Sequence, residues 1–98
     1  MARIRELTAQ GKVRFTMKAL RELAGLGMGL DEEDACDVVA SLIASEFDER
    51  LRAAKTGEWM YVFKPEVGGV LVYVTVILRA NCIVISFHEE EDHRHEDT

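Results

Sequence analysis

The sequence predicts one α+β domain in which N-terminal helices pack on one face of a C-terminal antiparallel β-sheet. Three observations lead there. Ninety-eight residues are enough for one hydrophobic core and too few for two. A hydrophobic content of 48% with a single proline is the composition of a packed domain rather than a disordered chain. Apolar residues recur at helical spacing through the first half and in β-branched runs through the second, an order that places helices together on one side of a sheet.

The elements follow in turn. Ile4, Leu7 and Thr8 mark a short first helix ended by Gly11. Residues 13–15 read as a brief extended link, after which Thr16 caps a second helix with Ala19, Leu20, Leu23 and Ala24 on one face. Gly25, Gly27 and Gly29 terminate it. A third helix starts at Asp31-Glu32-Glu33-Asp34, whose acids suit the positive end of a helix dipole, and carries the stripe Ala35, Val38, Val39, Leu42 and Ile43. That cluster is helix-end chemistry rather than a metal site. Three strands follow, residues 59–64, 70–79 and 82–88, joined by the turn-rich 65–69 loop and by Ala80-Asn81 as a two-residue hairpin turn. Trp59, Tyr61 and Phe63 are expected to pack in the core or at its edge. The domain is expected to span residues 1–88, with an acidic, disordered tail at 89–98.

The charge balance excludes less than it first suggests. The net charge is -6, but residues 89–98 hold six acids and one base, leaving 11 bases against 12 acids in residues 1–88. Residues 1–30 carry six bases and two acids, so a basic surface for RNA or an acidic partner is compatible with the total. The longest apolar run is about half of what a bilayer requires, and the polar start lacks a signal peptide's apolar stretch, so a cytoplasmic protein without membrane contact is expected. Cys36 and Cys82 lie in apolar patterns without metal-type spacing and read as reduced core thiols. His88, His93 and His95 alternate with acids, which reads as a solvated tail before it reads as a metal site.

The last hairpin brings chemistry together. Val70, Val72, Val74, Val76 and Leu78 form one face of the middle strand, and Leu71, Tyr73, Thr75, Ile77 and Arg79 the other. Placing Ile83, Ile85 and Phe87 with the aliphatic face under the helices selects the two-residue loop. It pairs Arg79 with Cys82, Ile77 with Val84, Thr75 with Ser86, and Tyr73 with His88. The phenol and imidazole then meet on the face away from the helices, with Cβ atoms roughly 5 Å apart. Lys64 approaches them from the first strand, and Arg50, Arg52 and Lys55 lie on the segment that crosses from helix to sheet edge.

Metal-free cleavage of RNA needs a base for the 2′-hydroxyl, an acid for the 5′-oxygen, and cations for the charge on phosphorus. Imidazole is the side chain that titrates near neutrality, so His88 suits proton transfer. Tyr73 can hydrogen-bond a phosphate or stack on a base, while Arg50, Arg52, Lys64 and Arg79 can hold phosphate oxygens. No cofactor is needed.

Residues 11–87 resemble the MqsR family of bacterial toxins. The resemblance lies in Gly11-Lys12-Val13-Arg14-Phe15-Thr16 with Ala19-Leu20, in Ser45-Glu46-Phe47, in Trp59 with Val62 and Pro65, in Val72-Tyr73, and in Val84-Ile85-Ser86-Phe87. It implies a RelE-like fold, an endoribonuclease that cuts mRNA and inhibits translation, and neutralisation by a cognate antitoxin that contains a helix-turn-helix. Tyr73 keeps its family identity. Glu49, Met60, Thr75 and His88 stand where the family carries lysine, glutamine, lysine and lysine. Two readings are compatible with these departures. One is a nuclease retuned around Tyr73 and His88, with Arg50, Arg52, Lys64, Thr75 and Arg79 on the RNA. The other is a catalytically degenerate module of the same fold that binds or regulates partners.

Overall fold

The computed structural model describes residues 1–90. Helix α1 spans Ala2–Ala9, α2 Met17–Gly25 and α3 Glu32–Ala40, with a 3-10 turn at Ala44–Glu46. Thr16 caps α2 by accepting a hydrogen bond from the Ala19 N–H at 3.1 Å. Asp31 and Asp34 form a reciprocal capping box that starts α3 where the acidic run predicts.

Among the described residues six strands form the sheet: β1 Val13–Phe15, β2 Phe47–Arg52, β3 Trp59–Phe63, β4 Glu66–Val67, β5 Val70–Leu78 and β6 Cys82–Glu89. Their order is β1-β6-β5-β3-β2, with the short β4 pairing on β5. The α+β expectation holds, with helices preceding the main sheet. The sheet itself is mixed rather than wholly antiparallel, because the expected link at residues 13–15 is β1, paired parallel to β6. The crossing segment likewise begins as β2, antiparallel to β3.

The core lies between the three helices and one sheet face. Ile4, Leu7, Ala19, Leu23, Ala35 and Val39 from the helices close on Val72, Val74 and Val76 of β5 and on Cys82, Val84 and Phe87 of β6. Burying these side chains stabilises each by roughly 1.5–3 kcal/mol for the larger aliphatics and Phe.

The last hairpin departs from the expected register near its turn and matches it at its open end. Leu78 pairs with Cys82, Ile77 with Ile83 and Val76 with Val84, so the loop has three residues, Arg79, Ala80 and Asn81. Between Val84 and Ser86 the ladder slips by one residue, leaving Ile85 as a bulge opposite the Thr75–Val76 step. Beyond it Thr75 pairs with Ser86, Val74 with Phe87 and Tyr73 with His88. The bulge corrects the face assignment too: Cys82 and Val84, not Ile83 and Ile85, join Phe87 under the helices.

Candidate active site

Strand parity builds the site. Tyr73 and Thr75 alternate with the buried Val72, Val74 and Val76, so they project from the face away from the helices. His88 faces Tyr73 across the ladder, with ring centroids 5.5 Å apart and planes tilted by 50°. On the other side of β5, Phe63 pairs with Val74, so Lys64, one residue on, arrives beside Tyr73. The Lys64 ammonium lies 5.2 Å from the centre of the Tyr73 ring. Lys64, Tyr73 and His88 thus form one row across three adjoining strands.

A cleft of about 160 Å³ opens beside Tyr73 and His88, lined by Glu49, Leu51, Val62, Tyr73, Thr75 and His88. Val62 is its buried floor. A recess of about 360 Å³ on the helix side, between α1 and β3, is lined by Met1, Ile4, Ala44, Phe47, Tyr61, Phe63 and Leu78. No charged side chain lines that recess, whereas the smaller cleft carries the titratable Glu49, Tyr73 and His88.

His88 Nδ1 lies 3.0 Å from the Glu89 carbonyl oxygen. A carbonyl only accepts, so Nδ1 carries the proton of the neutral ring and Nε2 is its acceptor nitrogen. Desolvation acts to lower the pKa of Lys64, but Tyr73, Asp48 and Glu90 outweigh it and raise the pKa above the usual lysine value. Lys64 is therefore a permanent cation at neutral pH, and it also pairs with Asp48 at 3.6 Å.

The structure brings Tyr73, His88, Lys64 and Thr75 together, and separates them from the three arginines. Arg50 pairs with Tyr61 and Arg52 with Trp59, which puts both arginines on the helix-side face, each guanidinium 4.1 Å from the Trp59 ring centre. Arg52 also donates to the Gly57 carbonyl at 2.7 Å. Arg79 lies six residues along from Tyr73, about 20 Å at strand spacing, and grips Glu58 through two hydrogen bonds of 2.8 and 2.6 Å. Residues that sequence reasoning missed are Asp48, the partner of Lys64, Leu51 in the cleft wall, and Glu22 of α2. Glu22 accepts from the Phe87 N–H at 2.9 Å and the Ser86 hydroxyl at 3.2 Å. The only signal for Glu22 was an acid beside Leu23, on the flank of the apolar stripe.

Among the described residues, no group of His, Cys, Asp and Glu is placed to hold a metal ion, and no helix is long and apolar enough to cross a membrane. His93, His95 and most of the expected acidic tail lie outside the described residues.

Comparison with known proteins points the same way as the row of side chains. The chain is 26% identical over 91 residues to the mRNA interferase toxin MqsR of Escherichia coli (strain K12), an alignment covering 92% of this chain and 91% of that protein. A family model described as "Motility quorum-sensing regulator, toxin of MqsA" matches residues 1–89. A match of that extent includes every strand and helix of the domain, and the chain belongs to the MqsR toxin family.

Proposed function

We propose that this protein is the toxin of a type II toxin–antitoxin pair, a metal-independent endoribonuclease that cleaves mRNA in the cytoplasm and thereby slows translation. The observation that carries the reading is the Lys64–Tyr73–His88 row, which sets a cation against a phenol that shares one cleft with an imidazole. Membership of the family implies an antitoxin partner; we assign that partner a helix-turn-helix and assign mRNA as the substrate.

In the reaction the 2′-hydroxyl loses its proton and its oxygen attacks the adjacent phosphorus. The bond from phosphorus to the 5′-oxygen breaks, and that oxygen receives a proton. The products are a 2′,3′-cyclic phosphate and a free 5′-hydroxyl. His88 exchanges the proton through Nε2, Tyr73 orients the phosphate, and Lys64 offsets charge as it builds on the non-bridging oxygens. Lys64, just past β3, supplies a cation that Glu49 and Thr75 do not, which disfavours the degenerate-module reading.

The test is cleavage of an RNA oligonucleotide in chelator. Wild type should cut it, His88→Ala should lose about 10²- to 10⁴-fold, and Tyr73→Phe about 10- to 100-fold, the value of one hydrogen bond to a charged group. A wild-type protein that cuts nothing between pH 5 and 9 ends the nuclease reading. Cleavage indifferent to both substitutions ends the site assignment.

A further inference from the structure

The bulge at Ile85 makes the Tyr73–His88 pairing possible, and β6 does not hold that bulge by itself. β1 accompanies β6 only from Cys82 to Val84. Thr16 then donates its N–H to the Val84 carbonyl at 3.0 Å, and the chain turns away into α2. From Ile85 onward, β6 has β5 on one side and, among the described residues, no strand on the other. The backbone N–H groups on that side need another acceptor, since an unpaired, part-buried donor costs on the order of 1–3 kcal/mol.

Glu22 supplies the acceptor. Its Oε1 receives both the Phe87 N–H at 2.9 Å and the hydroxyl of Ser86, a side chain only 8% exposed, at 3.2 Å. Its Oε2 takes the Lys18 ammonium at 3.1 Å, one helical turn earlier. The two residues clamped by Oε1 are those between the bulge and His88. Releasing them would let the ladder re-form with Ile85 in register, and a one-residue slip sends His88 to the opposite face.

We infer that Glu22 is a positioning residue, whose carboxylate takes the place of a missing strand neighbour and locks the bulged half of β6 so that His88 stays opposite Tyr73. The inference rests on the nuclease site proposed above, for which Glu22 touches no reacting atom.

Two conservative variants separate reach from charge. Glu22→Gln keeps an oxygen where Oε1 stands, and should retain cleavage within about threefold of wild type. Glu22→Asp keeps the charge but is one methylene short. It should lose on the order of 10- to 100-fold in kcat with little change in KM, the cost of misplacing a reacting group by about 1 Å. Amide hydrogen exchange at Phe87 should accelerate in Glu22→Asp and not in Glu22→Gln, a change that a general loss of stability would spread over the whole sheet. The inference is overturned if Gln falls with or below Asp, if both behave as wild type, or if Phe87 exchange is unchanged in Asp. Should His88→Ala cleave as well as wild type, the nuclease site fails on its own, and Phe87 exchange still decides whether Glu22 holds the strand.

Discussion

Glu49 faces into the cleft beside Tyr73 and His88, at the position where the family resemblance implies a lysine. In the proposed site a carboxylate there would repel the phosphate that Lys64 attracts, so the two side chains would work against each other. Glu49→Lys should therefore tighten binding of a non-cleavable RNA analogue at low salt. It should also steepen the dependence of log K on log salt by about 1, the increment for one added phosphate contact. Titrations at several salt concentrations read both quantities, and an unchanged slope would place the RNA backbone elsewhere on the molecule. An alanine substitution at Arg50 or Arg52 makes a useful contrast. Both stack on Trp59 on the opposite face, so Arg50→Ala should leave that slope as it is.

At the scale of elements, the Tyr73–His88 pair was legible because alternation in β5 is unambiguous and the two residues lie at the open end of the hairpin. The turn was not legible. Residues 82–85, Cys-Ile-Val-Ile, are apolar on both faces, so a pattern of hydrophobic positions cannot show that one of them is extra. β2 was missed for the opposite reason. Its sequence Phe-Asp-Glu-Arg-Leu-Arg is exposed throughout and has no buried face to read. With the strand went its parity, which is what separates Glu49 and Leu51 in the cleft from Arg50 and Arg52 behind it. The clamp on the bulge gives this level a pH signature. Burial alone would raise the pKa of the Glu22 carboxyl, but the Phe87 N–H, Lys18 and His88 outweigh it and hold it below the ordinary value of 4.5. A carboxyl depressed in the folded state contributes stability that is complete above the unfolded value and is lost as pH falls through the folded one. Wild type should thus lose stability more steeply than Glu22→Gln as the pH drops below about 5, measured as denaturation midpoints. Parallel curves would show that the ion pair contributes nothing. The cap on α2 is a further element-scale lever. Thr16→Ala removes the acceptor for Ala19 and should cost about 1 kcal/mol, or roughly 4–8 °C in melting temperature, with Thr16→Ser recovering most of it.

Across the whole molecule, helices close one face of the sheet and leave the other open with the cleft, so the proposed site and the packed core use different sides of the same strands. The two cysteines report on the closed side. Cys82 is completely buried in the core cluster, and burial, with a smaller contribution from Cys36, pushes its thiol up to about 11. At pH 8 only about one Cys82 in a thousand is thiolate, and its place inside the core cluster screens it from reagent. Cys36 on α3 is half-buried; burial and then Glu32, Asp37 and Glu33 raise its pKa as well, but reagent can reach it. A thiol-reactive chromophore added to native protein at pH 8 should therefore report one slow thiol per chain, and the second only in denaturant or at the rate of global opening. Added RNA analogue should leave both rates as they are, because the cleft lies across the sheet from both sulfurs. Equal labelling of the two thiols in the native protein would mean that the helices do not stay closed over β6, and the face opposite the cleft could then no longer be treated as the fixed support of the site.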